Sequence, residues 1–268
     1  MKNTRLLIGF LAIAMLIACK PNTENEETTE NTTAETSIDM DRYPADLQEV
    51  FENHGGLEKW RSMQSLTYTM PKPSGDEVHT IDLTSRKTLI ETDAYQLGFD
   101  GDSLWLQQDE QAFDPARAEF YYNLMFYFYA MPFVLADDGI QYEQVRALEK
   151  DGTLYPGTKI SYADNVGNSP EDNYIIYYDP DTKKMAWLAY TVTYGQDTTS
   201  EKYSFIHYNK WQDVNGLWLP ELLTWYQVED GQPTVPAGEP RAFNNVDIDA
   251  SAMGDDFYSK PENATTVN

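Results

Sequence analysis

Ser103, behind Gly101-Asp102, and His79, three residues after Asp76, supply the residue types of a hydrolase. A hydroxyl becomes a nucleophile when an imidazole takes its proton and a carboxylate orients the imidazole. Here the serine is followed by Leu104-Trp105-Leu106-Gln107, which reads as a strand, and no oxyanion-hole pattern accompanies it. Asp100-Gly101-Asp102 reads instead as a β-turn in a hairpin. Metal chemistry has as little to start from. His54, His79 and His207 stand apart, with no His-x-x-x-His or His-Glu-x-x-His pairing. The acidic runs Asp137-Asp138 and Asp164 to Asp172 lack the alternating ligands and the sixth-position glycine of a calcium loop, so they read as solvated loops. His54, just before Gly55-Gly56, reads as a helix-terminal residue bonding nearby carbonyls. No metal, cofactor or catalytic residue is expected.

Cys19 is the only cysteine, so an intrachain disulfide, a thiolate metal site and a catalytic thiol are excluded from the rest of the chain. It follows basic Lys2 and Arg5 and an apolar run from Leu6 to Ile17. That run is shorter than the roughly 20 residues of a spanning helix. Residues 1–18 therefore read as a secretory signal peptide. Leu16-Ile17-Ala18-Cys19 resembles the lipobox of bacterial lipoproteins, which implies cleavage before Cys19 and acylation of its thiol. Lys20 stands where some retained inner-membrane lipoproteins carry Asp, which points to the outer membrane, on its periplasmic or surface face. Residues 19–41 are mostly Asn, Thr and Glu; they bury too little to offset the entropy of ordering and read as an acidic tether. With 44 acidic against 19 basic residues, the chain carries −25. That argues against nucleic acid and anionic headgroups as partners, leaving the membrane to be reached through the lipid anchor.

The elements that would position a site lie in residues 42–258, read as one domain, with 259–268 as a flexible tail. Pro44 to Phe51 reads as an amphipathic helix burying Leu47, Val50 and Phe51, broken by His54-Gly55-Gly56, and Leu57 to Met63 as another short helix. Short strands then dominate, separated by Pro, Ser, Gly and Asp turns, which implies an antiparallel sheet in meander order. The exception is FYYNLMFYFYAMPFVLADDG, residues 120–139. Asp114 is a good N-cap and Pro115 suits the first helical position, so a helix is expected from there to about Ala130, with a second short piece at Pro132. From Phe120 onward it is apolar on every face, so it must be buried all round or face a cavity. Asn123 and Pro132 interrupt a run already too short to span a membrane. Pocket wall and core helix both fit this composition.

The order of HGGLEKWRSMQSL (54–66), the aromatic helix, Asp179-Pro180-Asp181-Thr182-Lys183 and Asn215-Gly216-Leu217-Trp218-Leu219-Pro220 resembles the LolA/LolB-like lipoproteins of gram-negative outer membranes. The likeness covers residues 43–250. It implies a mainly β fold: a curved antiparallel half-barrel of about eleven strands wrapped around internal helices, with an apolar cavity for acyl chains. Against this, Gly101-Asp102-Ser103-Leu104 matches the string of GDSL-type esterases, but in those enzymes the serine opens a helix and the Asp-x-x-His follows it. Two readings remain: an anchored carrier of an acyl chain or lipid, and a non-enzymatic envelope interaction protein with a filled core. Under the first, Tyr122, Phe126, Tyr129 and Phe133, about one helical turn apart, line an apolar pocket, with Trp105 and Trp187 as opposite walls.

Overall fold

Alternating side chains and tight turns produce two antiparallel sheets in the computed structural model, which describes residues 38–162, 172–193, 200, 202–254 and 256–267. Cys19, the signal segment 1–18 and residues 19–37 lie outside these, as do residues 164–171 of the acidic run. The first sheet meanders through β1 (Ser65–Met70), β2 (Glu77–Asp82), β3 (Thr88–Glu91), β4 (Tyr95–Phe99) and β5 (Leu104–Gln108). The second meanders through β6 (Ile140–Lys150), β7 (Thr153–Tyr162), β8 (Tyr174–Tyr178), β9 (Met185–Tyr190), β10 (Ser204–Val214), β11 (Leu217–Glu229) and β12 (Gln232–Pro236). A two-residue β13 (Arg241–Ala242) pairs with β11. The chain then returns to the first sheet, where β14 (Asn244–Asp249) pairs with β1 and β15 (Thr265–Val267) with β5.

The result is the curled antiparallel half-barrel that the resemblance implies. Among the described residues its strands number fifteen rather than about eleven. The additions are short: β12, β13 and β15 carry too few apolar residues to give a period-two signal. Two hairpins turn on Asp151-Gly152 and Asn215-Gly216, with φ of 51° and 82° in one and 54° and 77° in the other. Positive φ at both central residues gives the turn whose twist matches the strands it joins.

The helices are α1 (Ala45–Asn53), α2 (Leu57–Ser62) and α3 (Ala118–Tyr129). Leu47, Val50 and Phe51 of α1 are buried, as its periodicity predicts. Asp114 caps a 3-10 turn, Pro115–Arg117, by accepting from the Ala116 N–H at 3.1 Å, and α3 follows at once. It stops one residue before the expected Ala130, and a second 3-10 turn, Phe133–Ala136, is buried entirely. No helix among the described residues is long and apolar enough to cross a membrane.

Ordered contacts are present before residue 42: Asp39 caps a 3-10 turn at Met40–Arg42, and Ile38 and Met40 lie against the core. The expected tail is tied down instead, because Thr265–Val267 pair with Leu106, Trp105 and Leu104 of β5. Every strand described finds its partners among the described residues between 38 and 267.

Candidate functional site

Helix α3 lies between the two sheets, and its faces differ. Phe126, Tyr129 and the following Phe133 are at most 1% exposed. Tyr129 lies 4.5 Å from both Tyr68 of β1 and Phe243, and Phe133 stacks on Trp60 of α2 at 4.7 Å. The Arg86 guanidinium lies 5.0 Å from the Phe126 ring centre. The chain's own side chains fill this part of the concave side. Other positions along the helix are half-buried, from Tyr122 in its second turn to Tyr127 in its last. Tyr122 is half-buried against Phe99 at 5.3 Å, and Tyr127 lies 5.3 Å from Tyr174 of β8. On the other flank Phe128 meets Tyr190 at 4.9 Å and Trp225 at 6.0 Å. The Tyr127 hydroxyl is buried with no hydrogen-bond partner.

The six residues expected to line one pocket are therefore not brought together. Phe126, Tyr129 and Phe133 share the central core, whereas Tyr122 sits in a smaller cluster with Ala118 and Leu97. Trp105 and Trp187 face away from α3. Trp105 lies across Gly98, where a Cβ would come within 2.2 Å of its indole, and donates from Nε1 to the Tyr258 carbonyl at 3.1 Å. Trp187 stacks on His207 at 4.0 Å on the outer side of the second sheet. Both strands carry large residues on two covered faces, so alternation alone did not reveal which face meets the helix.

A buried polar cluster that sequence reasoning missed joins α3 to the first sheet. Glu77 and His79, two apart on β2, share one face. Glu77 Oε1 accepts from His79 Nε2 at 2.8 Å and from the Tyr121 hydroxyl at 2.7 Å. Its Oε2 accepts from Lys72 Nζ at 2.6 Å and from the Tyr95 hydroxyl at 2.7 Å. Burial opposes the charge on Glu77, but the bonds from His79, Lys72 and Tyr121 outweigh it and hold the carboxyl well below the usual carboxylate range. Burial lowers His79, against the pull of Glu77, and keeps the imidazole neutral. Its Nδ1 is buried without a partner. Burial first, then Glu77, raises both tyrosines. With two donors on each oxygen, Glu77 has no lone pair left for a substrate proton. It pins Tyr121, and with it the start of α3, to β2 and β4. The only sequence signal was the i, i+2 spacing of Glu77 and His79.

The hydrolase residues go separate ways. Ser103 closes the β4–β5 turn, with its N–H on Asp100 Oδ1 at 2.8 Å and its hydroxyl near Asp102 at 3.5 Å, while His79 is committed to Glu77. His54 bonds carbonyls as expected and does more: its ring reaches the Trp218 carbonyl at 3.1 Å from Nδ1, and Nε2 accepts the Met185 N–H at 3.0 Å. Burial pushes its pKa down to about 3, so it is a neutral tie between the α1–α2 corner and strands β9 and β11. No group of three or more His, Cys, Asp or Glu that could hold a metal ion occurs among the described residues.

Solved structures similar to this chain include a DUF1329 family protein from Desulfovibrio piger, at 10% identity over 78% of this chain and 95% of that one, with a TM-score of 0.45. A LolA superfamily protein from Nitrosomonas europaea is 8% identical over 80% of this chain and 97% of that one, also with a TM-score of 0.45. No curated protein matches. A family model covers residues 77–232, from Glu77 of the polar cluster through β11 to the start of β12. The chain belongs to the family of unknown function DUF6503.

Proposed function

We propose that this protein is a non-enzymatic, lipid-anchored component of the cell envelope that holds an apolar ligand, an acyl chain or lipid, beside the half-buried Tyr127 side of α3. The observation that carries the reading is Tyr127, a half-buried ring against Tyr174 whose hydroxyl is buried without a partner. An unsatisfied buried hydroxyl costs roughly 1–3 kcal/mol. An ester or headgroup oxygen from a ligand lying along Leu124 and Tyr127, which share a side of the helix, would remove that cost, while the rings supply apolar contact. Attachment through Cys19, to the outer membrane on its periplasmic or surface face, would keep the domain where such molecules are present. The expected pocket thus moves to the side of the helix that Tyr127 faces, with Phe126, Tyr129 and Phe133 as its packed support.

Protein lacking residues 1–37, purified without detergent, should release lipid on solvent extraction, read by mass spectrometry. It should also take up a fluorescent fatty acid, and Tyr127→Phe should weaken uptake without unfolding the domain. If the protein neither carries nor takes up any apolar molecule, the second reading stands: an envelope interaction protein with a filled core. The full burial of Phe126, Tyr129 and Phe133 favours that reading.

A further inference from the structure

Asp172 ends the acidic run whose composition reads as a solvated loop, yet it is only 7% exposed. It stands just before β8, where pairing with β9 continues past the strand ends. The Thr191 N–H donates to the Asn173 carbonyl at 3.0 Å, and the Asn173 N–H donates to Thr191 Oγ1 at 2.8 Å. Asp172 Oδ1 takes three donors: the Thr193 N–H at 2.7 Å and the hydroxyls of Thr193 and Thr191 at 2.9 and 3.4 Å. Among the described residues nothing donates to Oδ2.

Those donors are all neutral. Burial raises the Asp172 carboxyl, the bonds from Thr193 and Thr191 lower it, and no positive group contributes. Glu77, also buried, has Lys72 at 2.6 Å and His79 at 2.8 Å. The chain on either side of Asp172 and its threonines supplies no such partner, because residues 160–182 and 185–201 contain no Lys, Arg or His. A carboxylate buried to this degree is almost always paired with a positive group. Asp172 is also close to the ligand site proposed above. Burial first, and then the Asp172 charge, raise the Tyr174 hydroxyl. The Tyr174 ring in turn lies 5.3 Å from that of Tyr127, whose hydroxyl has no partner.

We propose that Asp172 receives a positively charged amine head on the ligand held beside Tyr127, so that this ligand is an amphiphile carrying an ammonium group. The inference rests on the reading of that side of α3 as the ligand site and adds the ligand's chemical class. The ammonium donates to Asp172 Oδ2, with the rings of Tyr174 and Tyr127 beside it, and the apolar chain runs on along Leu124. A carboxylate head on the same chain meets a negative charge that no cation offsets. A metal ion is a poorer match, because Asp172 belongs to no group of three or more His, Cys, Asp or Glu among the described residues.

The test is displacement of the neutral apolar dye N-phenyl-1-naphthylamine from the purified, detergent-free protein by dodecylamine, dodecanol and dodecanoate, each below its aggregation concentration. Dodecylamine, protonated at pH 7, should displace the dye at about tenfold lower concentration than dodecanol, and dodecanoate should do no better than dodecanol. Asp172→Asn keeps Oδ1 for the threonine donors and removes the charge. It should bring dodecylamine back to the level of dodecanol, with circular dichroism and dodecanol displacement unchanged. Tyr127→Phe should weaken dodecylamine and dodecanol together. Ethanolamine, the head without the chain, should leave the dye in place. Equal displacement by dodecylamine and dodecanol in the wild type, a preference that survives in Asp172→Asn, or displacement by ethanolamine would overturn this inference while the apolar site stands. A protein that takes up neither the dye nor dodecanol overturns both.

Discussion

Replacing Glu77 by Gln tests whether the buried cluster, rather than general apolar packing, holds the start of α3 on the first sheet. The glutamine keeps the volume but turns one acceptor oxygen into an NH2 group. Two of the four donors now around the carboxylate, from His79, Tyr121, Lys72 and Tyr95, then face another donor. Hydrogen bonds to a charged group contribute about 1.5–3 kcal/mol each, and removing one partner of a buried pair costs about 3–5 kcal/mol. The Glu77 side chain is 1% exposed, so water cannot replace what is lost there; Lys72 is 21% exposed and can rehydrate in part. The lower end, about 3 kcal/mol, is therefore the expected loss. Urea unfolding of residues 38–268, followed by tryptophan fluorescence, measures it. The pH dependence supplies a second signature. Because the folded carboxyl is held below its unfolded value, its contribution is fully present above the ordinary carboxylate range and is lost as pH falls below it. The wild type should lose stability there and Glu77→Gln should lack that component. A loss under 1 kcal/mol with an unchanged acid limb would refute the assignment.

Phe126→Ala should cost about 3–5 kcal/mol by leaving a cavity in a filled region, whereas Tyr122→Ala, at a half-buried position, should cost about 1 kcal/mol; chemical denaturation of the two variants compares them directly. His54 is neutral in the fold and titrates at about 3, against about 6.5 when unfolded. Its contribution is complete above the unfolded value and should decline by up to about 1.4 kcal/mol per pH unit as pH falls toward 3. His54→Gln should flatten the slope of urea midpoints between pH 7 and 5 by one proton's worth. Cys19→Ser should abolish incorporation of labelled fatty acid into the protein in cells, and undiminished labelling would locate the anchor elsewhere.

Local chemistry was the legible part of this chain. Asp114 before Pro115 marked the start of the helical segment, and Asn215-Gly216, a turn in the family resemblance, is a hairpin turn in the structure. The aromatic run from Phe120 was correctly expected on the concave side because nothing in its composition suits water. Contacts set by strand register were not legible. Lys72, Tyr95 and Tyr121 stand 5, 18 and 44 positions from Glu77, and only the order β2-β3-β4 and the descent of α3 make them neighbours. Trp105 misled for a related reason: Tyr258 and Ala264, which cover it, belong to a C-terminal stretch whose polar composition resembles a tail. The family model, ending at residue 232, likewise stops short of that cover.

The pairing of β1 with β14 constrains how the chain is made. Ser65 lies opposite Asp249, so the first strand of the domain has an unpaired edge until almost the last residues are available. The β1–β5 meander can form locally, but its open flank stays a template for another extended chain throughout synthesis. Such long-range closure slows folding. For a chain exported as proposed here that delay would be useful, because a chain that cannot finish its sheet until β14 is available remains extended enough to be threaded across a membrane. The same delay exposes it to self-association, and chaperone demand should peak in the interval before β14 docks.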